Sequence, residues 1–302
     1  MQKLVSVIIN CHNSEKYLEE TLKSVVTQTY KKWELIFYDN KSTDNSFKIF
    51  KSFKEKRFKY FKSKRFKKLG EARKDALLKA RGDYIAFLDA DDIWKKNKLK
   101  IQLNYFNDEN IGFTISNSVF FNKNNEKNFY PDKKKFNKNV FYDLIENYFI
   151  SFDTVIIKTS KLNELNKKLD KKFNIIHDLD LIIRLSKICE MNYVPQTLSK
   201  WRMRKDSLSY NSFKNIIKEK KKFITSLSRL LKNDKKFLMS RKLFLDTLYR
   251  QEILHLISQK KYMKIAKIAK KLKLNIKNVL LLIIIFLPFK KYIFDKFFNL
   301  KY

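Results

Sequence analysis

Three short clusters in this chain have residue types that could do chemistry, and the sharpest is Asp89-Ala90-Asp91-Asp92. Three carboxylates packed into four residues repel one another unless a cation or ordered donors compensate. A hard divalent ion, Mn2+ or Mg2+, resolves the conflict, because it prefers carboxylate oxygens together with the phosphate oxygens of a substrate. The plainer reading is an acidic turn capping a helix that begins near Trp94. The second cluster is Asp39-Asn40-Lys41-Ser42-Thr43-Asp44. A carboxylate here can accept an N–H from a nucleobase, whereas Ser42 or Thr43 also reads as an ordinary helix N-cap. In the third, Gly70-Glu71-Ala72-Arg73, Arg73 opens a helix and could hold a phosphate or a base. On its own it reads as a solvated cation.

Two of these clusters directly follow apolar runs of strand character. Leu4 to Ile9 is apolar apart from Ser6, as in a strand buried on both faces. Tyr17, Leu18, Thr21, Leu22 and Val25 then recur at helical spacing. Glu34 to Tyr38 predicts a second strand, Ser42 to Phe53 a helix, and Phe58 to Phe61 a short strand. Glu71 to Ala80 predicts a helix with Gly82 where it would end, and Tyr84 to Leu88 a strand running into Asp89. Ile111 to Phe121 has room for one or two more strands. This alternation predicts a mostly parallel sheet flanked by helices, and ligands of such sheets bind outside the carboxyl ends of the strands. Residues 122–150 read as a loop followed by a helix around Tyr142 to Tyr148. A strand at Thr154 to Ile157, a short helix and a stronger helix from Asp178 to Cys189 follow, and from Ser212 onward the pattern is helical.

Taken in order, Ser6 to Asn13, Asp39 to Asp44, Gly70 to Arg73 and Ala80 to Asp92 resemble the motifs of glycosyltransferase family 2. The last run is the most specific, since strand, acidic motif and Trp94 match in register. The resemblance implies a GT-A fold and an inverting, hexosyltransferase-type transfer from a nucleotide-diphosphate sugar. It places Asn10 in the donor site, Asp39 on the base and Arg73 on the nucleotide or its phosphates. Asp89 and Asp91 become the Mn2+ or Mg2+ pair, with Asp92 beside them and Asp89 also facing the donor. Ile176-His177-Asp178-Leu179-Asp180 is similar to the family's second acidic motif, with Asp178 where the catalytic base is expected. That role fits inverting chemistry, in which a carboxylate takes the proton of the attacking hydroxyl. Trp201 to Ser207 resembles the loop that closes over the donor, which brings Arg202 and Arg204 to it. The chain departs from the family at three places. Asn40 stands where a second acid is common, Lys41 where a Gly is, and Arg204 where a His often follows.

Length and composition bound the rest. The chain has 302 residues, 44% hydrophobic, with 67 Lys and Arg against 31 Asp and Glu and a net charge of +36. Part of that excess reads as drift from an A/T-rich coding sequence, but it is uneven. Residues 212–302 hold 24 Lys and Arg against 5 acids. Ile265, Ile268, Ala269 and Leu272 form an apolar stripe among lysines, and Val279 to Phe289 is the one long greasy run. Eleven residues fall short of the ~20 that span a bilayer as a helix. They suit either a helical bundle or attachment to an anionic membrane surface. Residues 1–211 are therefore expected to form the GT-A catalytic domain, with 1–121 its nucleotide-sugar half and 122–211 its acceptor half. Residues 212–302 are expected to form a basic helical region. The two cysteines, Cys11 and Cys189, lack metal-type spacing, and the N-terminal apolar run is too short for a signal peptide. The expected setting is cytoplasmic, peripheral on the inner face of the cell membrane. The expected partners are a nucleotide-diphosphate sugar and a glycan or lipid-linked acceptor in cell-surface polysaccharide synthesis. Nucleic acid is not expected, because zinc-finger spacing, basic-region heptads and an aromatic RNA-binding signature are missing. With three glycines, the chain cannot build a dinucleotide fingerprint or a P-loop, and a nucleotidyltransferase would want a Gly-rich loop after the first strand. A catalytically inactive relative acting as a scaffold is the alternative that Asn40 and Arg204 raise.

Overall fold

The computed structural model describes residues 2–272, apart from 132, 133, 171, 205 and 260. Strand β1 (Val5–Cys11), helix α1 (Glu15–Val26), β2 (Trp33–Asp39), α2 (Ser46–Ser52), β3 (Phe58–Lys62), α3 (Leu69–Leu77) and β4 (Tyr84–Phe87) follow in order. They build a parallel sheet in the order β3-β2-β1-β4. Nearly every side chain of β1 and every one of β2 is buried, which is why both read as continuous apolar runs. Leu18, Leu22 and Val25 of α1 and Phe50 of α2 close the core over them.

Beyond β4 come β5 (Ile93–Trp94), α4 (Lys98–Leu103), β6 (Ile111–Phe121), β7 (Glu126–Asn128) and α5 (Phe141–Glu146). A 3-10 turn (Phe152–Thr154), β8 (Ile156–Lys158), α6 (Thr159–Asn163), α7 (His177–Ser186) and β9 (Glu190–Arg202) complete this part. The sheet becomes mixed here: β8 pairs antiparallel with β4 and β6, whereas β9 runs parallel to β6. Among the described residues it has nine strands in the order β3-β2-β1-β4-β8-β6-β9-β5, with β7 on β6.

Several local expectations shift. Ile111–Phe121 is one strand, and the 13-residue β9 forms where no strand was expected. Its burial does not alternate cleanly and its pairing to β6 is broken by bulges, so no period-2 pattern is legible. No helix begins at Trp94, which lies in β5; α4 starts at Lys98. Helix α2 starts at Ser46, so neither Ser42 nor Thr43 caps it. Arg73 sits mid-helix in α3 rather than opening it. Gly82 lies beyond the end of α3, and no glycine has positive φ, so it is not a helix stop. Its lack of a side chain serves close approach instead. A Cβ there would meet the Ser6 amide nitrogen at 2.5 Å.

The chain divides into two compact units: Met1–Phe141 with Phe149–Arg204, and Tyr142–Tyr148 with the described residues after Arg204. The boundary thus falls at Arg204, and the 142–148 segment goes with the second unit. That unit holds α8 (Leu208–Asn211), α9 (Phe213–Leu230), α10 (Lys235–Ser258) and α11 (Tyr262–Ala269). Asp234 caps α10 by accepting the Phe237 N–H at 2.9 Å and the Tyr142 hydroxyl at 2.8 Å. The stripe expected to face helices or lipid is used inside the protein. Ile265 is buried against Ile253 and Ile257 of α10, with Ile268, Ala269 and Leu272 packed alongside. No described helix is long and apolar enough to cross a membrane. Val279 to Phe289 lies outside the described residues.

Candidate active site

Parallel register brings the first residues of the site to one edge. Cys11 pairs with Asp39 and Ile8 with Phe87, so Asn10, Asp39 and Asp89 all stand at the carboxyl ends of adjacent strands β1, β2 and β4. The Asn10 amide is buried there, and among the described residues neither its Oδ1 nor its Nδ2 has a partner. A buried amide without partners belongs to a ligand or a water. Asp39 is 1% exposed, and its two oxygens accept from the Ser42 N–H at 2.7 Å and the Tyr60 hydroxyl at 2.6 Å. The cluster expected to read a base is thus first a braced turn. Asn40 completes it, donating to the Lys67 carbonyl at 2.7 Å and accepting the Lys67 N–H at 3.0 Å. This amide clasps the next loop and is not turned to a base. Lys41 has φ 64°, the left-handed region where the family's Gly would sit.

The carboxylates of the acidic run each meet a different partner. Asp89 pairs with the buried Arg73 guanidinium. Arg73 also donates to His177 Nε2 at 2.5 Å and lies over the Phe152 ring. Because an arginine can only donate, His177 Nε2 accepts and its Nδ1–H donates to the Asn174 carbonyl at 2.8 Å. Burial and the Arg73 charge hold this histidine well below its usual range, so it is neutral. Asp178, in the first turn of α7, is raised by burial, while the Arg73 charge opposes that rise. Asp89, Arg73, His177 and Asp178 therefore converge from β4, α3 and α7. Asp180 does not join them; it is tied to Arg184 at 2.6 Å one helical turn on.

Asp91 pairs with Arg204, Nε to Oδ2 at 2.7 Å. Burial, then the charge of Asp89, raises its carboxyl, and Arg204 opposes the rise. Asp92, expected beside Asp89 and Asp91 as a ligand, instead faces inward. Its Oδ1 accepts the Arg202 N–H at 2.8 Å, its Oδ2 is buried without a partner among the described residues, and burial followed by the charges of Asp91, Asp153 and Asp89 pushes it well up. Asp92 there is a structural prop for the Arg202 backbone. Arg202, expected on the donor, is likewise committed to the protein. Its Nε donates to the Asp91 carbonyl at 2.8 Å, it bonds Glu20, and its guanidinium lies between the rings of Tyr17 and Phe121. It sets the backbone of the acidic run. Reading the residues in order missed Tyr60, Phe152, Tyr17 and Glu20, since none stands in a motif.

Among the described residues, no three His, Cys, Asp or Glu side chains are grouped to hold a metal ion by themselves. The donor set that fits one is the pair Asp89 and Asp91, whose side chains are 44% and 20% exposed. Two hard carboxylates completed by phosphate oxygens and water are what Mn2+ or Mg2+ accepts.

Comparison with known proteins places the chain in a family. The model for glycosyl transferase family 2 matches residues 6–166. The chain belongs to that family. A UDP-Glc:alpha-D-GlcNAc-diphosphoundecaprenol beta-1,3-glucosyltransferase of Escherichia coli, WfgD, is 34% identical over 220 residues, 70% of this chain and 82% of that one. WfaP, an enzyme of the same description from the same organism, is 32% identical over 115 residues, 38% of this chain and 46% of its own. The crystal structure of S. aureus TarS with UDP-GlcNAc superposes with a TM-score of 0.65 at 18% identity, covering 82% of this chain and 72% of that one. At that identity the likeness is one of fold, and the family member described here is a GT-A glycosyltransferase of hexosyl type.

Proposed function

We propose that this enzyme is an inverting, divalent-metal-dependent glycosyltransferase. It moves a hexose from a nucleotide-diphosphate sugar to a lipid-linked glycan acceptor in cell-surface polysaccharide synthesis, working on the inner face of the cell membrane. The observation that carries the reading is the convergence of Asp89, Arg73, His177 and Asp178 at the carboxyl edge of the parallel strands. Asp178 takes the proton of the acceptor hydroxyl. A raised carboxyl is a stronger base once ionised, whereas the one lone pair of His177, on Nε2, is already taken by Arg73. Arg73 holds Asp89 in place, and the Asn10 amide takes a hydrogen bond from the donor. Asp89 and Asp91 would hold Mn2+ or Mg2+, whose charge offsets that of the departing diphosphate. WfgD and WfaP support both the lipid-linked acceptor and UDP-glucose as the first donor to test.

The test is nucleoside diphosphate release from a panel of nucleotide sugars with Mn2+. Turnover is expected to vanish in excess EDTA and in Asp91→Ala, together with Mn2+-dependent nucleotide binding. Undiminished turnover in EDTA, or full activity of Asp91→Ala, overturns the metal-dependent reading.

A further inference from the structure

We infer that the tip of the α9–α10 hairpin is a membrane-docking surface whose partner is an anionic lipid bilayer. This rests on the peripheral reading above and gives that contact a place in the described protein. The two helices run back along each other, with Lys221 on Glu252 at 2.6 Å and Phe223 against Phe244. Helix α10 buries Phe237, Ser240, Phe244 and Leu248 on one side. Its first turns then leave Lys235, Lys236, Leu238, Met239, Lys242 and Leu243 on the opposite, exposed side.

Single exposed apolar side chains are ordinary on a protein surface, whereas contiguous ones mark an interaction site. Among the described residues, four of the nine exposed large hydrophobic side chains fall within residues 230–243. They are Leu230 at 79%, Leu238 at 36%, Met239 at 68% and Leu243 at 46%. The charge around them is of one sign. Residues 229–242 carry Arg229, Lys232, Lys235, Lys236, Arg241 and Lys242 against a single acid, Asp234. That acid is held by the Phe237 N–H and the Tyr142 hydroxyl. Arg229, Lys232, Lys235 and Lys242 form no ion pair among the described residues. Apolar side chains ringed by unpaired cations match the chemistry of an anionic headgroup layer, in which the lysines meet phosphates and the apolar groups enter the acyl boundary. A protein partner of the same chemistry would need an acidic, greasy surface of its own. A second copy of this tip would bring like charges together.

The experiment uses the full chain and sedimentation with vesicles of phosphatidylcholine alone or mixed with phosphatidylglycerol. The wild type is expected to bind only the anionic vesicles. Met239→Glu/Leu243→Glu is expected to bind them at least about tenfold more weakly, with unchanged thermal unfolding and unchanged donor hydrolysis. A fluorophore on Met239→Cys is expected to shift to the blue on adding anionic vesicles. Wild-type binding that persists undiminished in the double variant, with no shift of the fluorophore, overturns the hairpin assignment and leaves the peripheral reading standing. If the wild type ignores both vesicle types, both readings fall. A patch that changes the mass of the protein in solution instead of its vesicle binding serves self-association, and the lipid proposal is then wrong.

Discussion

Lys41 occupies a backbone conformation that costs an L-residue roughly 1–2 kcal/mol and costs Gly almost nothing. The turn it makes puts the Ser42 N–H on Asp39, so the conformation is required by the donor edge rather than by the side chain. Lys41→Gly is therefore expected to stabilise the protein by about 1 kcal/mol, less the entropy a glycine adds to the unfolded chain. Denaturant unfolding checks it, and a loss of stability would mean that the lysine side chain has a role of its own. Asp178 carries the second residue-scale expectation. Asp178→Asn keeps the shape of the site and removes the base, so turnover should fall by roughly 10²-fold or more while the donor still binds. Donor binding that collapses with a normal residual rate would make Asp178 a structural residue at the start of α7.

Two elements are held by contacts that can be broken singly. Helix α3 carries Arg73 to His177, and it approaches the 173–174 backbone closely because residue 70 has no side chain. A Cβ on Gly70 would meet the Phe173 carbonyl oxygen at 2.4 Å. Gly70→Ala should cost about 1–3 kcal/mol in thermal unfolding and lower turnover with it, because the shift moves Arg73 relative to His177 and Asp89. Unchanged turnover would mean that this packing does not position the site. Helix α4 is anchored differently. Lys98 is fully buried, donates to Gln102 Oε1 at 2.7 Å and the Thr154 carbonyl at 3.0 Å, and burial pushes it down to about 7. Nearby Asp153 is stapled by Ser118 and Ser199. A lysine lowered in the folded state binds its proton less well there than in the unfolded chain, whose value is 10.5. Between these two values the unfolded chain holds more protons, so stability should rise as pH increases from about 7 towards 10, by a few kcal/mol at most. Unfolding at pH 7 and pH 9.5 measures the rise, and Lys98→Met should flatten it. An equal slope in both proteins would assign it to other groups.

For the molecule as a whole, charge is the property that no single site explains. Residues 212–302 carry 24 of the 67 Lys and Arg but only 5 of the 31 acids. At low salt the chain is expected to pellet with anionic vesicles, and raising salt should release part of it, since the Debye length shrinks to about 3 Å near 1 M. A chain ending at Asn275 loses Val279 to Phe289 and should bind vesicles more weakly while still turning over donor. If the shortened chain is insoluble and the full chain ignores vesicles, that run belongs to a protein core.

The amino-acid sequence by itself determined the catalytic half of this protein to a large extent. Strands buried on both faces must be apolar throughout, so β1, β2 and β4 were legible, and the acidic runs directly after two of them could only stand at the ligand edge. Asp89 and Asp91 were placed at that edge by this pattern, and Asp178 was singled out by the family motif alone. What the folded chain decided are the pairings between residues far apart. Arg73 meets His177 across 104 positions, and Arg202 meets Asp92 across 110. A periodic signal extends only as far as one helix or strand, so no local pattern could show that Arg202 supports the acidic run or that Asn40 clasps Lys67. The bulged β9 and the inward turn of Asp92 belong to the same class. Each exists because long-range packing supplies a partner that neighbouring residues do not.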